Sequence, residues 1–185
     1  MRAGGNPSWN TGVDYREQLE RSINRDEVKA LYKQAGLNLD EDLETLQNAP
    51  RIAAVPSAVD YLKSFIVFNG QIDQPVLTMH TTGDGLVLNQ DEQAYASVVR
   101  AAGNEERLRQ TFIHRAGHCT FTPAEVVAAF KTMVRRLDTG RWGDTTSPRN
   151  MNMTAASTGL GPSDFIRFKP SAFLRPFDAR SVRED

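Results

Sequence analysis

Between residues 75 and 125 one pattern occurs twice: a short apolar run, a glycine turn carrying one ionisable side chain, and then a helical stretch. The first copy reads Pro-Val-Leu-Thr-Met-His-Thr-Thr-Gly-Asp-Gly-Leu-Val over 75–87, and the second reads Leu-Arg-Gln-Thr-Phe-Ile-His-Arg-Ala-Gly-His-Cys-Thr-Phe-Thr-Pro-Ala-Glu over 108–125. Consecutive strands joined by a helix run parallel, because a crossover of that length returns the chain to the same edge of a sheet. Both glycine turns then leave the sheet at its carboxyl edge, where open α/β sheets bind ligands. Asp84 and His118 are therefore expected to be neighbours. A carboxylate beside an imidazole fixes its tautomer and stabilises the imidazolium, the orienting half of a nucleophile, base and acid triad.

At these residues the sequence resembles the C-terminal half of the α/β-hydrolase family, which includes serine esterases, lipases and peptidases. Thr-Gly-Asp-Gly-Leu-Val, 82–87, resembles the family's acid loop, and Ala-Gly-His-Cys-Thr-Phe, 116–121, its histidine loop. The order acid then histidine also agrees. The resemblance implies that Asp84 is the triad acid and His118 the general base, acting chiefly on carboxylic esters, with amides the second option, through an acyl-enzyme, with no cofactor. It also implies a nucleophile elbow, Gly-x-Ser-x-Gly, upstream of the acid, and no such pentapeptide occurs in the sequence. The serines before Asp84 are Ser8, Ser22, Ser57 and Ser64, none flanked by glycines at that spacing. The expectation is a hydrolase portion whose nucleophile lies elsewhere; the alternative is a catalytically incomplete remnant that associates with itself or a partner.

The expected fold is α/β: a few parallel strands with flanking helices, preceded by a helical cap-like region. The partition is 1–70 helical, 71–140 core with the acid and histidine loops, and 141–185 an extended tail with proline and phenylalanine. Helical periodicity runs over 13–35, with Asn24 and Glu27 spaced as a capping box that divides it, and Gly36 ends it. Asp40 and then Pro56 open two further short helices. Asn89 with Glu92 offers another capping box, Gly103 closes that helix, and Thr122-Pro-Ala-Glu is the strongest helix start in the chain. The segment 144–162, rich in Thr, Ser, Asn, Gly and Pro, reads as extended loop.

Two parallel strands are not a stable sheet, since parallel sheets occur almost only with several strands covered on both faces. Completion is expected from a second copy or from a separate upstream half. A net charge of −1 with interspersed signs leaves no basic face for nucleic acid. No apolar run approaches membrane-spanning length. The opening residues lack a signal-peptide core, so the expected address is cytoplasmic, or secreted if an upstream half carries an export signal. The single cysteine, Cys119, excludes an internal disulfide, and it is expected as a small residue packed beneath the histidine loop. His80 and His114 precede their turns and read as structural. The three histidines lack helical spacing for a metal.

Overall fold

The computed structural model describes residues 3–174. They form a mixed α/β chain with seven α-helices and a small three-stranded sheet. Contacts divide the chain into two compact units, the first running to Val67 and the second spanning Phe68–Phe173. Among the described residues no helix is long and apolar enough to cross a membrane.

The first unit holds α1 (Tyr15–Arg21), α2 (Arg25–Ala35), α3 (Leu39–Asn48) and α4 (Pro56–Phe65). Asp14 caps α1 by accepting from the N–H groups of Arg16 and Glu17. The expected capping box at Asn24 does not form: α2 starts there without a side-chain cap bond. At α3 the cap is Asn38 rather than Asp40, which falls in the first turn, where its charge suits the helix dipole. The unit has little interior. Leu43, Ala58 and Val59 are buried, whereas Ile23, Leu31, Leu37, Leu46, Ile52 and Phe65 remain exposed. Main-chain ties, such as Asn10 N–H to Ile52 O at 3.0 Å and Val55 N–H to Asn6 O at 2.8 Å, hold the connecting segments.

The second unit is built on β1 (Val76–Gly83) and β2 (Leu108–Ala116), joined by α5 (Asn89–Ala101) and a 3-10 turn. The two strands are parallel, in register from Val76 opposite Leu108 to Gly83 opposite Ala116, with an irregularity near the acid loop. A short third strand, β3 (Phe165–Ile166), runs antiparallel beside β2, so the sheet is mixed where an all-parallel one was expected. The strand order β1-β2-β3 leaves the outer side of β1 without a neighbouring strand among the described residues.

Strand alternation sorts the side chains between two faces. Leu77, Met79 and the fully buried Ile113 pack with Ala124, Ala128 and Ala129 of α6 (Pro123–Thr139), Met151 and Ala155 of α7 (Pro148–Ala156), and Phe165. Alanines at 124 and 128 share one side of α6, and their small size lets the helix lie close on the sheet. Thr78 faces the other way and donates to Glu92 of α5 at 2.6 Å, and Gln110 donates to the Glu92 carbonyl at 2.8 Å. Those bonds draw Glu92 inward, so the expected capping box at Asn89 is not made; Asn89 instead donates to Thr82 O. At the start of this unit Gly70 is obligatory, since its φ is 76° and a β-carbon there would lie 2.2 Å from Val98 O.

The segment 144–162 contains α7 rather than extended loop. Ser147 caps it by accepting from Asn150 N–H, and Pro148 occupies the first turn, a start signal hidden by the polar composition around it.

Candidate functional site

Asp84 and His118 sit on the turns that follow β1 and β2, and the parallel register places those turns side by side. Oδ2 of Asp84 lies 2.8 Å from Nδ1 of His118. The other carboxylate oxygen accepts from the N–H of Leu86 at 2.8 Å and of Val87 at 3.0 Å. An ionised carboxylate only accepts, so Nδ1 carries the proton and Nε2 is left with a lone pair. The Asp84 side chain is 4% exposed and that of His118 is 42% exposed, so the acid is covered while the ring remains reachable. The Val87 N–H foremost, then the Leu86 N–H and the His118 ring, hold the Asp84 carboxyl down to about 2 against the raising effect of burial.

The two turns are stitched together by the chain itself. Gly117 N–H donates to Gly83 O at 3.0 Å, and the Thr81 hydroxyl donates to Gly117 O at 2.6 Å. Gly117 has a φ of 98°, and a β-carbon on it would stand 2.8 Å from Cγ2 of Thr120. Only glycine reaches that conformation without strain, and His118 leaves the strand in the direction of Asp84 because of it.

Cys119 is exposed rather than packed beneath the loop as expected. Its backbone is left-handed, with a φ of 53°, and its Sγ lies 3.4 Å from Nε2 of His118. The turn thus points the side chain outward, toward the ring. The other two histidines are placed differently. His80 is buried in β1, with Nδ1 2.8 Å from Thr81 O, whereas His114 is exposed and 3.5 Å from Asp164.

Flanking the histidine turn is an ion pair that sequence reasoning missed. Arg115 at the end of β2 grips the fully buried Glu125 of α6 through two bonds, 2.6 and 2.9 Å. Glu125 also completes the capping box with Thr122. Burial works to raise its carboxyl, but Arg115 and the N–H groups of Thr122 and Asp164 outweigh it and hold the group below the usual range. The Thr-Pro-Ala-Glu motif signalled a capping glutamate; nothing in the sequence signalled its arginine.

Asp84 and His118 together can orient and discharge a base. Among the described residues no group of three or more His, Cys, Asp or Glu side chains is gathered as a metal site would need. Cavities of about 420 Å³, lined by Lys131, Arg135 and Asn150 among others, and of about 440 Å³, lined by Arg109, Gln110 and Phe168 among others, include neither residue.

Over 159 residues the chain is 36% identical to the o-phthalyl amidase of Xanthobacter agilis. The match takes in 83% of this chain but 34% of that protein, so the chain spans about a third of its relative's length. The relationship is thus to part of an amidase, a hydrolase. No family model matches the sequence, and no solved structure matches it.

Proposed function

We propose that this chain is the acid- and histidine-bearing part of a hydrolase of the α/β-hydrolase type, cleaving a carboxylic amide or ester. Asp84 orients His118, and His118 takes the proton from a serine nucleophile and delivers it to the leaving group. The observation that carries this reading is the 2.8 Å bond between Asp84 Oδ2 and His118 Nδ1, on a ring that is 42% exposed. Similarity to an amidase favours amide cleavage over the ester cleavage expected from the loops alone.

In this proposal the serine and its oxyanion hole come from polypeptide outside these elements, in an upstream half. The outer side of β1, which has no neighbouring strand among the described residues, is the fitting place for a further parallel strand, because an edge strand presents a row of unpaired main-chain groups. The helices of the first unit, with their exposed apolar side chains, suit the cap-like region that the sequence suggests.

The alternative is a remnant that retains the fold and self-associates without turnover. The absence of a Gly-x-Ser-x-Gly pentapeptide from the sequence favours it, since an acid and a base without nucleophile or oxyanion hole keep little of a triad's power. The test is turnover of an o-phthalyl amide and a short-chain nitrophenyl ester by the chain co-expressed with the polypeptide encoded upstream of it, and by the same pair carrying His118→Ala, with mass spectrometry after treatment with a serine-directed phosphonate. Turnover lost in the variant together with a serine adduct supports the hydrolase reading. Equal, background turnover by both pairs, with no adduct, supports the remnant.

A further inference from the structure

Glu125 is buried completely, yet its carboxylate accepts four hydrogen bonds drawn from three segments of the chain. Oε2 receives Arg115 Nη1 at 2.6 Å and Thr122 N–H at 2.8 Å; Oε1 receives Arg115 Nη2 at 2.9 Å and Asp164 N–H at 3.0 Å. Arg115 reaches further: Nη1 also donates to Thr120 O at 2.8 Å. Thr122 in turn donates through its hydroxyl to Pro162 O at 2.8 Å. The residues so held, 115, 120 and 122, lie on both sides of the turn that carries His118.

A helix-capping glutamate needs neither burial nor an arginine. Its usual contribution is one bond back to the cap N–H at the protein surface. Burying the carboxylate and pairing it with a guanidinium adds a desolvation cost that the attraction between the two seldom more than offsets. The geometry accounts for the pair by position instead. Arg115 and Glu125 clamp the entrance and exit of the histidine turn to each other and to the segment leading into β3. With both ends gripped, the turn has little freedom to rotate His118 away from Asp84.

We propose that Glu125, acting through Arg115, is a positioning residue for His118, setting the histidine turn so that the imidazole meets Asp84. The activity readout rests on the hydrolase reading above; the readout on the ring does not. The Glu125 carboxylate bonds to Arg115, Thr122 and Asp164 rather than to the ring or Asp84, so its effect is transmitted through the turn.

The experiment compares the wild-type chain with Glu125→Gln and with the double variant Arg115→Met, Glu125→Gln. The double variant removes both charges, leaves an amide oxygen for one of the waiting N–H groups, and avoids stranding a buried ion. Nitrogen NMR of the His118 ring reports which nitrogen carries the proton. In the wild-type chain Nδ1 is expected to be protonated, and in the folded double variant the ring is expected to drift to a mixture of both tautomers. Turnover, where the wild-type chain shows it, should fall about 10- to 100-fold with little change in KM, as for a displaced reacting group. A folded double variant whose ring stays wholly protonated at Nδ1 overturns the proposal, as does a wild-type ring that is not protonated there. The ring decides the positioning role whether or not the chain turns over substrate by itself, so failure of this proposal and failure of the hydrolase reading are read separately.

Discussion

Sγ of Cys119 stands 3.4 Å from Nε2 of His118, at the edge of the ring opposite its bond to Asp84. A thiol in that place contacts the nitrogen from which a general base would work. If the nucleophile is a serine supplied by other polypeptide, the sulfur is a bystander that rotates aside. Cys119→Ala is then expected to keep turnover within about twofold of the wild-type chain, measured under conditions that detect the His118→Ala loss. Complete loss in Cys119→Ala would make the thiol itself the attacking group.

Asp84 is expected to govern the acid limb of stability in this unit. Its carboxyl, held to about 2 first by the Val87 N–H, is ionised in the folded chain at a pH where it would be protonated in the unfolded one. The contribution is therefore fully present above about pH 4 and is lost as pH falls toward about 2. Thermal melts between pH 5 and pH 2 should show a steeper decline for the wild-type chain than for Asp84→Asn. Equal slopes would show that the turn bonds do not depend on the charge. The same variant should lower turnover by about four orders of magnitude, as loss of the orienting acid does in triad enzymes.

Two glycines near the site make a matched pair. Gly117→Ala forces a side chain into a φ of 98° and brings its β-carbon to 2.8 Å from Thr120 Cγ2, whereas a β-carbon on Gly85 meets nothing within 4 Å. Gly117→Ala is expected to cost about 1–3 kcal/mol, read from the urea midpoint, and to remove the Nδ1 proton signature of His118. Gly85→Ala should leave both close to wild type.

The second unit depends on Ile113, which is fully buried, pairs with Thr81 on one side and Phe165 on the other, and packs against α6 and α7. Ile113→Ala should destabilise by about 2–5 kcal/mol through lost burial and a residual cavity. Phe130 of α6 is 70% exposed, and Phe130→Ala in the isolated chain should change stability by no more than about 0.5 kcal/mol. Denaturant unfolding of the two variants side by side checks both values.

Much of the second unit could be read from local pattern. The apolar runs around Leu77 and Phe112 became β1 and β2, and Thr122 with Glu125 became a true capping box at the start of α6. Gly103 stands past the end of α5 in left-handed conformation, as its position suggested, and Gly140 does the same after α6. Where the reading failed, a long-range partner had intervened. Glu92 was drawn from its helix end by Thr78 and Gln110, and Asn89 was occupied by Thr82 O. The two-residue β3 has no signal of its own, since it is a strand only because β2 offers it an edge. Helix α7 was concealed in a segment whose serine, threonine and asparagine content resembles loop, although Ser147 and Pro148 marked its beginning.

By itself the sequence determined where strands, turns and helix caps fall, because φ preferences, side-chain periodicity and capping act within a few residues. It also put an acid and a histidine on consecutive turns of parallel strands. Only the tertiary structure decided that Asp84 spends one oxygen on its own turn and the other on His118, that Cys119 faces the ring instead of the interior, and that the half-buried Arg115 pairs with the buried Glu125 beside that turn. Those choices depend on which side chains arrive from distant parts of the chain to share a small, poorly solvated space, and burial sets the strength of each bond made there.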